Sequence, residues 1–93
     1  NIFKLLQDFK KEVLLYFKHN QSGLFMNKNQ IKQIQNEVVN KNINNSLIKL
    51  DYFQIIEVKN FSFVNCLHRM KKYRALIAVY IAEVRLIDNI SIN

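Results

Sequence analysis

The amino-acid sequence predicts an all-α fold, a small domain of three to four helices with one long helix at its C-terminal end. Two observations support this expectation. The 93-residue chain contains no proline and one glycine, whereas tight turns between strands usually draw on both residues. In addition, apolar residues recur at steps of three and four along several stretches, which is the period of a helix that buries one face.

The length and composition predict a single domain. A chain of 93 residues has the size of one domain, and a hydrophobic content of 49% is enough for a core. We therefore expect residues 1–93 to form one helical domain. Because Asn1 is not a methionine and the apolar pattern starts directly after it, we also expect this domain to be a fragment of a longer protein.

The first two helices are predicted from their apolar stripes. Residues 2–17 place large apolar side chains at helical spacing, and the polar residues around Gly23 should end that helix, since glycine readily adopts the positive φ found at helix ends. Asn27 or Asn29 is expected to cap a second helix. The narrow apolar seam of that helix consists of Ile31, Ile34 and Val38.

The second half of the chain is also predicted to be mostly helical. The asparagine-rich residues from Lys41 to Ser46 indicate a loop. The stretch from Leu47 to Lys59 fits both the helical and the strand period, so it is either a helix or an extended segment. The stretch from Phe61 to Asn89 has the strongest apolar pattern, with Ser62 as a candidate N-cap. Its alanines are good helix formers, which favours one long helix.

The charge and the residue usage limit the possible partners and functions. A formal net charge of +7 and a pI near 9.7 favour nucleic acid, anionic membranes or acidic proteins as partners. No apolar run is long enough to span a membrane, and the lone Cys66 excludes an internal disulfide. The bias towards asparagine, isoleucine and lysine resembles the coding bias of AT-rich genomes of the malaria-parasite type.

No pattern of a catalytic or metal-binding site is found. Asp8 and Glu12 share a helix face among lysines, which is typical of a solvated surface. Cys66 and His68 lie two positions apart on the predicted helix and point in different directions. This spacing favours a buried cysteine and a surface histidine over a catalytic dyad or a metal pair. The sequence therefore predicts no catalytic residue, no metal site, no cofactor and a protein that is not an enzyme.

A basic stretch followed by an apolar run is the most distinctive feature. The basic residues between His68 and Arg74 could contact phosphates, with Tyr73 stacking on a base, or they could meet a protein. The apolar excess from Leu76 to Ile81 is too large for a thin bundle to bury and should meet another chain. We favour a protein interface over DNA, because the basic stretch leads into an apolar helix instead of a polar, base-reading one. The predicted partner-binding residues are Lys71, Lys72, Arg74, Leu76, Ile77, Tyr80 and Ile81.

The order of these features resembles the helical N-terminal domain of the Partner of SLD Five one family of GINS replication complex subunits. The basic run, the small residue and the apolar and aromatic residues of its motif would lie here from Lys71 to Tyr80. Two positions depart from the family pattern, namely Ala75 and Val79, where that family has a cysteine and an aromatic residue. The resemblance implies a non-catalytic scaffold in the nucleus, with sister subunits of a hetero-oligomer and the replicative helicase as partners and DNA as a further candidate partner.

Two other classes of protein fit the same pattern. The chain could be a small helical subunit of a large organelle assembly, such as a ribosome or a respiratory complex. It could also be a free-standing basic domain that binds nucleic acid. Composition and periodicity alone do not separate these alternatives from the scaffold.

Overall fold

The computed structural model describes residues 2–93 as a mixed fold of two helices and six strands. The prediction of an all-α domain with a long C-terminal helix is therefore wrong, because strand residues slightly outnumber helical residues. Among the described residues, no helix has both the length and the apolar character that a membrane span requires. The elements are α1 (Ile2–His19), β1 (Phe25–Met26), α2 (Lys28–Asn42), β2 (Ile48–Glu57), β3 (Ser62–Val64), β4 (Leu67–His68), β5 (Tyr73–Ile81) and β6 (Val84–Ser91).

The strands form one main sheet and one small ribbon. The main sheet has four strands in the order β3-β2-β5-β6, and all neighbours are antiparallel. Strands β1 and β4 pair separately as a two-stranded ribbon. The long strands β2 and β5 form the centre of the main sheet, so its stability depends on pairing between segments distant in the sequence.

Both helices pack on one face of the main sheet and form the core there. α1 buries its predicted stripe, and the ring of Phe9 meets the ring of Phe53 on β2 edge-on, with 5.0 Å between centroids. Burial of such side chains is the main favourable contribution to folding, at about 1.5–3 kcal/mol each. Strand β5 contributes every second residue to this core, namely Tyr73, Ala75, Ile77 and Val79.

The two predicted helices are confirmed. α1 ends at His19, close to the polar residues that were expected to end it. α2 begins with a capping box, in which the side chain of Asn27 accepts a hydrogen bond from the backbone of Gln30 and the side chain of Gln30 accepts one from the backbone of Asn27. This arrangement satisfies two amides that a helix start otherwise leaves without partners.

A carboxylate joins the two helices. Asp8 on α1 accepts hydrogen bonds from Lys4 at 2.8 Å and from Asn42 at the end of α2 at 3.0 Å. The pKa of Asp8 lies below the ordinary value of 3.8. The largest cause is the hydrogen bond from Lys4, followed by the one from Asn42, and the positive charge of Lys41 has a weaker effect. The ionised form of Asp8 is therefore favoured by folding.

We expect Asp8→Asn to cause a modest loss of stability that depends on pH. Because the pKa of Asp8 is lower in the folded chain than in the unfolded chain, its contribution is fully present above pH values near 4 and is lost as the pH falls through the folded pKa. Urea unfolding of both proteins at pH 7 and at pH values between about 4 and 2 should show a difference that shrinks on acidification. A difference of equal size at all these pH values would contradict this role of Asp8.

The ambiguous stretch from Leu47 to Lys59 is largely strand. β2 covers Ile48–Glu57 and is paired on both sides, so the extended alternative is the right one. A register shift between Leu50 and Tyr52 marks a bulge that includes Asp51. Bulges of this kind change the direction of a side chain at a chosen point of a strand.

The long helix predicted from Phe61 to Asn89 does not exist. That stretch contains four strands, and Ser62 begins β3 instead of capping a helix. β5 and β6 are joined by a two-residue turn at Ala82 and Glu83, and Ala82 has a φ of 55°. Turns of this length favour glycine or asparagine at positive φ, so an alanine-glutamate turn inside an apolar run gives little sign of a hairpin.

Candidate functional site on the open face of the sheet

The main sheet has one face that neither helix covers, which we call the open face. The strand register places its residues, because paired residues point to the same side of a sheet and neighbours along a strand point to opposite sides. On β5 the open face alternates with the core positions. Its members are Lys49, Tyr52, Gln54, Ile56, Phe63, Arg74, Leu76, Ala78, Tyr80, Arg85, Ile87, Asn89 and Ser91.

The open face is more apolar than a solvated sheet face usually is. Antiparallel sheets with one covered face commonly present polar residues on the other. Here Phe63 is 67% exposed, Ile87 is 59% exposed and Tyr80 is 39% exposed. Leu76 lies half-buried between them on the central strand. An apolar surface of this kind marks an interaction site more often than a free surface.

The charged residues of the open face are basic. The Nε and Nη2 atoms of Arg74 donate to Oδ1 of Asn89 at 3.0 and 2.7 Å. Across the sheet, Arg85 donates to the carboxylate of Asp51 at 2.9 Å and lies 5.7 Å from the centroid of the Tyr52 ring. The hydrogen bond to Asp51 raises the pKa of Arg85 above its ordinary value. Arg74 therefore donates to a neutral amide, whereas Arg85 donates to a carboxylate.

The structure separates the apolar residues that were predicted to bind a partner. Leu76 and Tyr80 lie on the open face with Arg74. Ile77 belongs to the core and is 0% exposed, and Ile81 lies on the helix side at the end of β5. These residues were expected on a long helix, whereas they lie on a strand, where adjacent residues point to opposite sides of the sheet.

The two predicted lysines lie just before β5. The Nζ atom of Lys71 is 3.2 Å from a carboxylate oxygen of Glu57, which is buried and also accepts a hydrogen bond from Asn60. Lys71 thus compensates a buried charge within the chain. Lys72 is exposed, and its backbone carbonyl accepts from the amide of Val58. Both lysines lie outside the strands of the main sheet.

The expected environments of Cys66 and His68 are reversed. Cys66 is exposed at the edge of a cleft of about 560 Å³ between α2 and the β2–β3 side of the sheet. His68 is half-buried, packs edge-on against Phe25 and accepts a hydrogen bond from the amide of Met70 at Nδ1. Within residues 2–93, no group of three or more histidine, cysteine or acidic side chains is arranged to hold a metal ion.

One important residue of the basic stretch was not singled out from the sequence. Arg69 donates to the backbone carbonyls of Gly23, Phe17 and Asn20 at 3.0, 2.8 and 2.6 Å. It therefore joins the end of α1 to the β1–β4 ribbon. Only the fold brings these carbonyls together, because Arg69 lies about fifty positions further along the chain.

Comparison with known proteins identifies the family. The family model described as pantoate-beta-alanine ligase matches residues 2–91, which is nearly the whole helix-and-sheet unit. The chain belongs to this family of ligases.

Two curated relatives agree with this assignment. The pantothenate synthetase of Christiangramia forsetii is 45% identical over 58 residues, which is 62% of this chain and 20% of that protein. The pantothenate synthetase of Flavobacterium psychrophilum is 40% identical over 50 residues, which is 54% of this chain and 18% of that protein. The chain thus spans about a fifth of the length of the curated relatives it matches.

These findings overturn the functional predictions from the sequence. The resemblance to a GINS subunit is wrong, and so are the scaffold function, the helicase and sister-subunit partners and the nuclear localisation that followed from it. The prediction of a protein that is not an enzyme is wrong as well, because the family is one of ligases. The two alternatives, an organelle subunit and a nucleic-acid-binding domain, also receive no support from these matches.

Proposed function

We propose that this chain acts as one structural unit of a pantothenate synthetase, an enzyme that ligates pantoate and β-alanine. The family match over residues 2–91 is the observation that supports this proposal. It covers both helices and all four strands of the main sheet, so the relationship extends over a complete folded unit instead of a short motif.

The charge of the chain agrees with such substrates. Pantoate is an anion, and a protein surface with a net charge of +7 attracts anions, whereas β-alanine contains both a carboxylate and an ammonium group and has no net charge. The attraction raises the local concentration of a negatively charged substrate and does not by itself select one. We propose that the chemical steps of the ligation belong to the whole enzyme and not to this unit alone.

An exchange experiment tests the proposed function. In the Christiangramia forsetii enzyme, the segment that corresponds to residues 2–91 is replaced by this chain, and pantothenate formed from pantoate and β-alanine is measured by mass spectrometry. We expect the exchanged enzyme to form pantothenate well above the level of the same enzyme without the segment. The unmodified relative serves as the positive control.

A matched control separates a wrong function from a misfolded protein. The same segment is exchanged for the corresponding segment of the pantothenate synthetase of Flavobacterium psychrophilum. If that exchange restores product formation and a folded exchange with this chain does not, the proposed function is contradicted. Circular dichroism and thermal unfolding show whether each exchanged protein is folded.

A further inference from the structure

We propose that two adjacent turns at one end of the main sheet bind the surface of an anionic lipid membrane, where apolar side chains insert and lysines contact the headgroups. The first turn, residues 58–61, joins β2 to β3, and the second, residues 69–72, joins β4 to β5. We call these two turns together the turn tip. The inference goes beyond the proposed function and does not depend on it.

Three contacts hold the two turns side by side. The amide of Val58 in the first turn donates to the carbonyl of Lys72 in the second at 3.0 Å. At the end of β2, the buried carboxylate of Glu57 accepts a hydrogen bond from Asn60 of the first turn and lies 3.2 Å from Nζ of Lys71 in the second. The side chains of the two turns therefore belong to one continuous surface.

The turn tip exposes large apolar side chains to solvent. Phe61 is 80% exposed, Met70 is 76% exposed and Val58 is 43% exposed. Contact of such side chains with water is unfavourable, and these three contribute little to the core of this chain. A group of them on adjacent turns therefore indicates a contact with something outside the chain.

The backbone holds Phe61 in a conformation that bulky residues rarely adopt. Its φ is 53°, in the left-handed region, and its amide closes the turn by donating to the carbonyl of Glu57 at 2.9 Å. Strained positions of this kind occur most often at functional sites. Because glycine or asparagine would fit this turn with less strain, the phenylalanine is explained better by what its ring contacts than by the turn itself.

The charge of the turn tip complements an anionic surface. Lys59, Lys71 and Lys72 are all exposed in the same two turns, whereas the neighbouring carboxylate of Glu57 is buried and paired with Lys71. Lysines near a lipid surface are attracted to anionic headgroups, and aromatic side chains are favoured at the boundary between headgroups and hydrocarbon. The combination of lysines with Phe61 therefore fits an anionic membrane.

The arrangement favours a membrane over an acidic protein segment. Peptide segments usually bind along strand edges or in grooves whose walls fix their position. Phe61 and Met70 have most of their surface in solvent, so they do not form the walls of such a groove. A lipid surface needs no groove, because it takes up apolar side chains at the boundary between headgroups and acyl chains.

Vesicle sedimentation tests membrane binding of the unmodified 93-residue chain. Vesicles of phosphatidylcholine in which about a third of the lipid is phosphatidylserine are compared with vesicles of phosphatidylcholine alone. We expect at least about fivefold more chain to bind to the anionic vesicles, and less to bind as the salt concentration rises, because salt screens the attraction of the lysines. Equal binding to both kinds of vesicle, or binding to neither, would overturn the proposal.

Two double charge reversals locate the contact on the molecule. Lys59→Glu combined with Lys72→Glu changes the turn tip. Lys32→Glu combined with Lys49→Glu makes the same change of net charge at exposed positions on α2 and near the start of β2. We expect the first pair to lower binding to anionic vesicles by at least about fivefold and the second pair by less than about twofold. Equal losses would mean that only the net charge of the chain matters, which contradicts a contact at the turn tip.

Tryptophan fluorescence tests the insertion of Phe61, since the chain contains no tryptophan of its own. Phe61→Trp places the reporter on the turn tip, and Leu47→Trp places it on a 64% exposed position just before the opposite end of β2. With anionic vesicles, the emission of Phe61→Trp should shift to shorter wavelength and that of Leu47→Trp should not. Phe61→Asn, which suits the positive φ, should stay folded by circular dichroism and bind at least about threefold less. Unchanged binding of Phe61→Asn, or equal shifts of the two tryptophans, would overturn insertion at the turn tip.

Two further outcomes would also contradict the proposal. Binding to polyglutamate but not to vesicles, with loss of that binding in the Lys59→Glu and Lys72→Glu double variant, would identify an acidic protein as the partner. The exchanged enzyme described above should bind anionic vesicles as the chain does. Because vesicle binding is measured separately from product formation, an exchanged enzyme that forms pantothenate without binding vesicles contradicts only this inference.

Discussion

Ile77→Asp is expected to unfold the chain, whereas Leu76→Asp is expected to leave it folded. The side chain of Ile77 is completely buried on the helix side of β5 and pairs with Phe53 on β2. The substitution removes apolar burial worth about 1.5–3 kcal/mol and places a carboxylate in an apolar site at a further cost of several kcal/mol. The total approaches the stability of about 5–15 kcal/mol that a whole domain has.

The adjacent residue provides the control for this prediction. Leu76 is half-buried on the open face, so an aspartate there remains in contact with solvent in the isolated chain. Circular dichroism and urea unfolding of the three proteins measure the difference. A folded Ile77→Asp protein with the urea midpoint of the unmodified chain would contradict the burial of Ile77, and equal damage by both substitutions would contradict the assignment of the two faces.

Arg69→Ala is expected to destabilise the chain by about 2–4 kcal/mol, because charged hydrogen bonds contribute about 1.5–3 kcal/mol each and do not add independently. The guanidinium donates to three backbone carbonyls at and after the end of α1, and it lies 5.0 Å from the centroid of the Phe17 ring. Carbonyls at a helix end have no partner within the helix. Without Arg69, part-buried carbonyls would lose their donor.

Two further substitutions test the specific role of the guanidinium. Arg69→Lys retains the charge but not the planar arrangement of donors, so it should recover only a small part of the loss. Arg85→Ala removes an arginine whose pair with Asp51 is exposed, and it should change the denaturation midpoint much less than Arg69→Ala. A full recovery by lysine would show that charge alone explains the effect.

The resemblance to a GINS subunit misled because the motif that supported it is not specific to a helix. A basic run followed by a small residue and apolar residues also describes the entry into a strand, here Lys71 to Ile81. Basic residues at the start of the segment and large apolar residues within it are compatible with a helix and with a strand. What distinguishes them is the partner of each side chain, which a ten-residue motif does not contain.

Because the open face is also apolar, the sequence of β5 does not show the alternation of apolar and polar residues that is typical of a strand. In β5 the core residues Ala75, Ile77 and Val79 alternate with Leu76 and Ala78, which are also apolar. A strand with apolar residues on both sides loses the alternation that would identify it. The same feature that makes the open face a candidate docking surface therefore made the strand look like part of a long helix.

The sequence by itself determined α1 and α2, the end of α1 at the polar residues before Gly23, and an asparagine cap for α2 at Asn27 or Asn29, of which the structure has Asn27. Each of these depends on residues within a few positions of one another, because helix hydrogen bonds and caps are local. Only the tertiary structure decided the sheet, the positions of Leu76 and Ile77 on opposite faces, and the contacts of Arg69. These depend on pairing and packing between segments tens of residues apart, as when β2 pairs with β5, and the local pattern of a strand does not specify its partner.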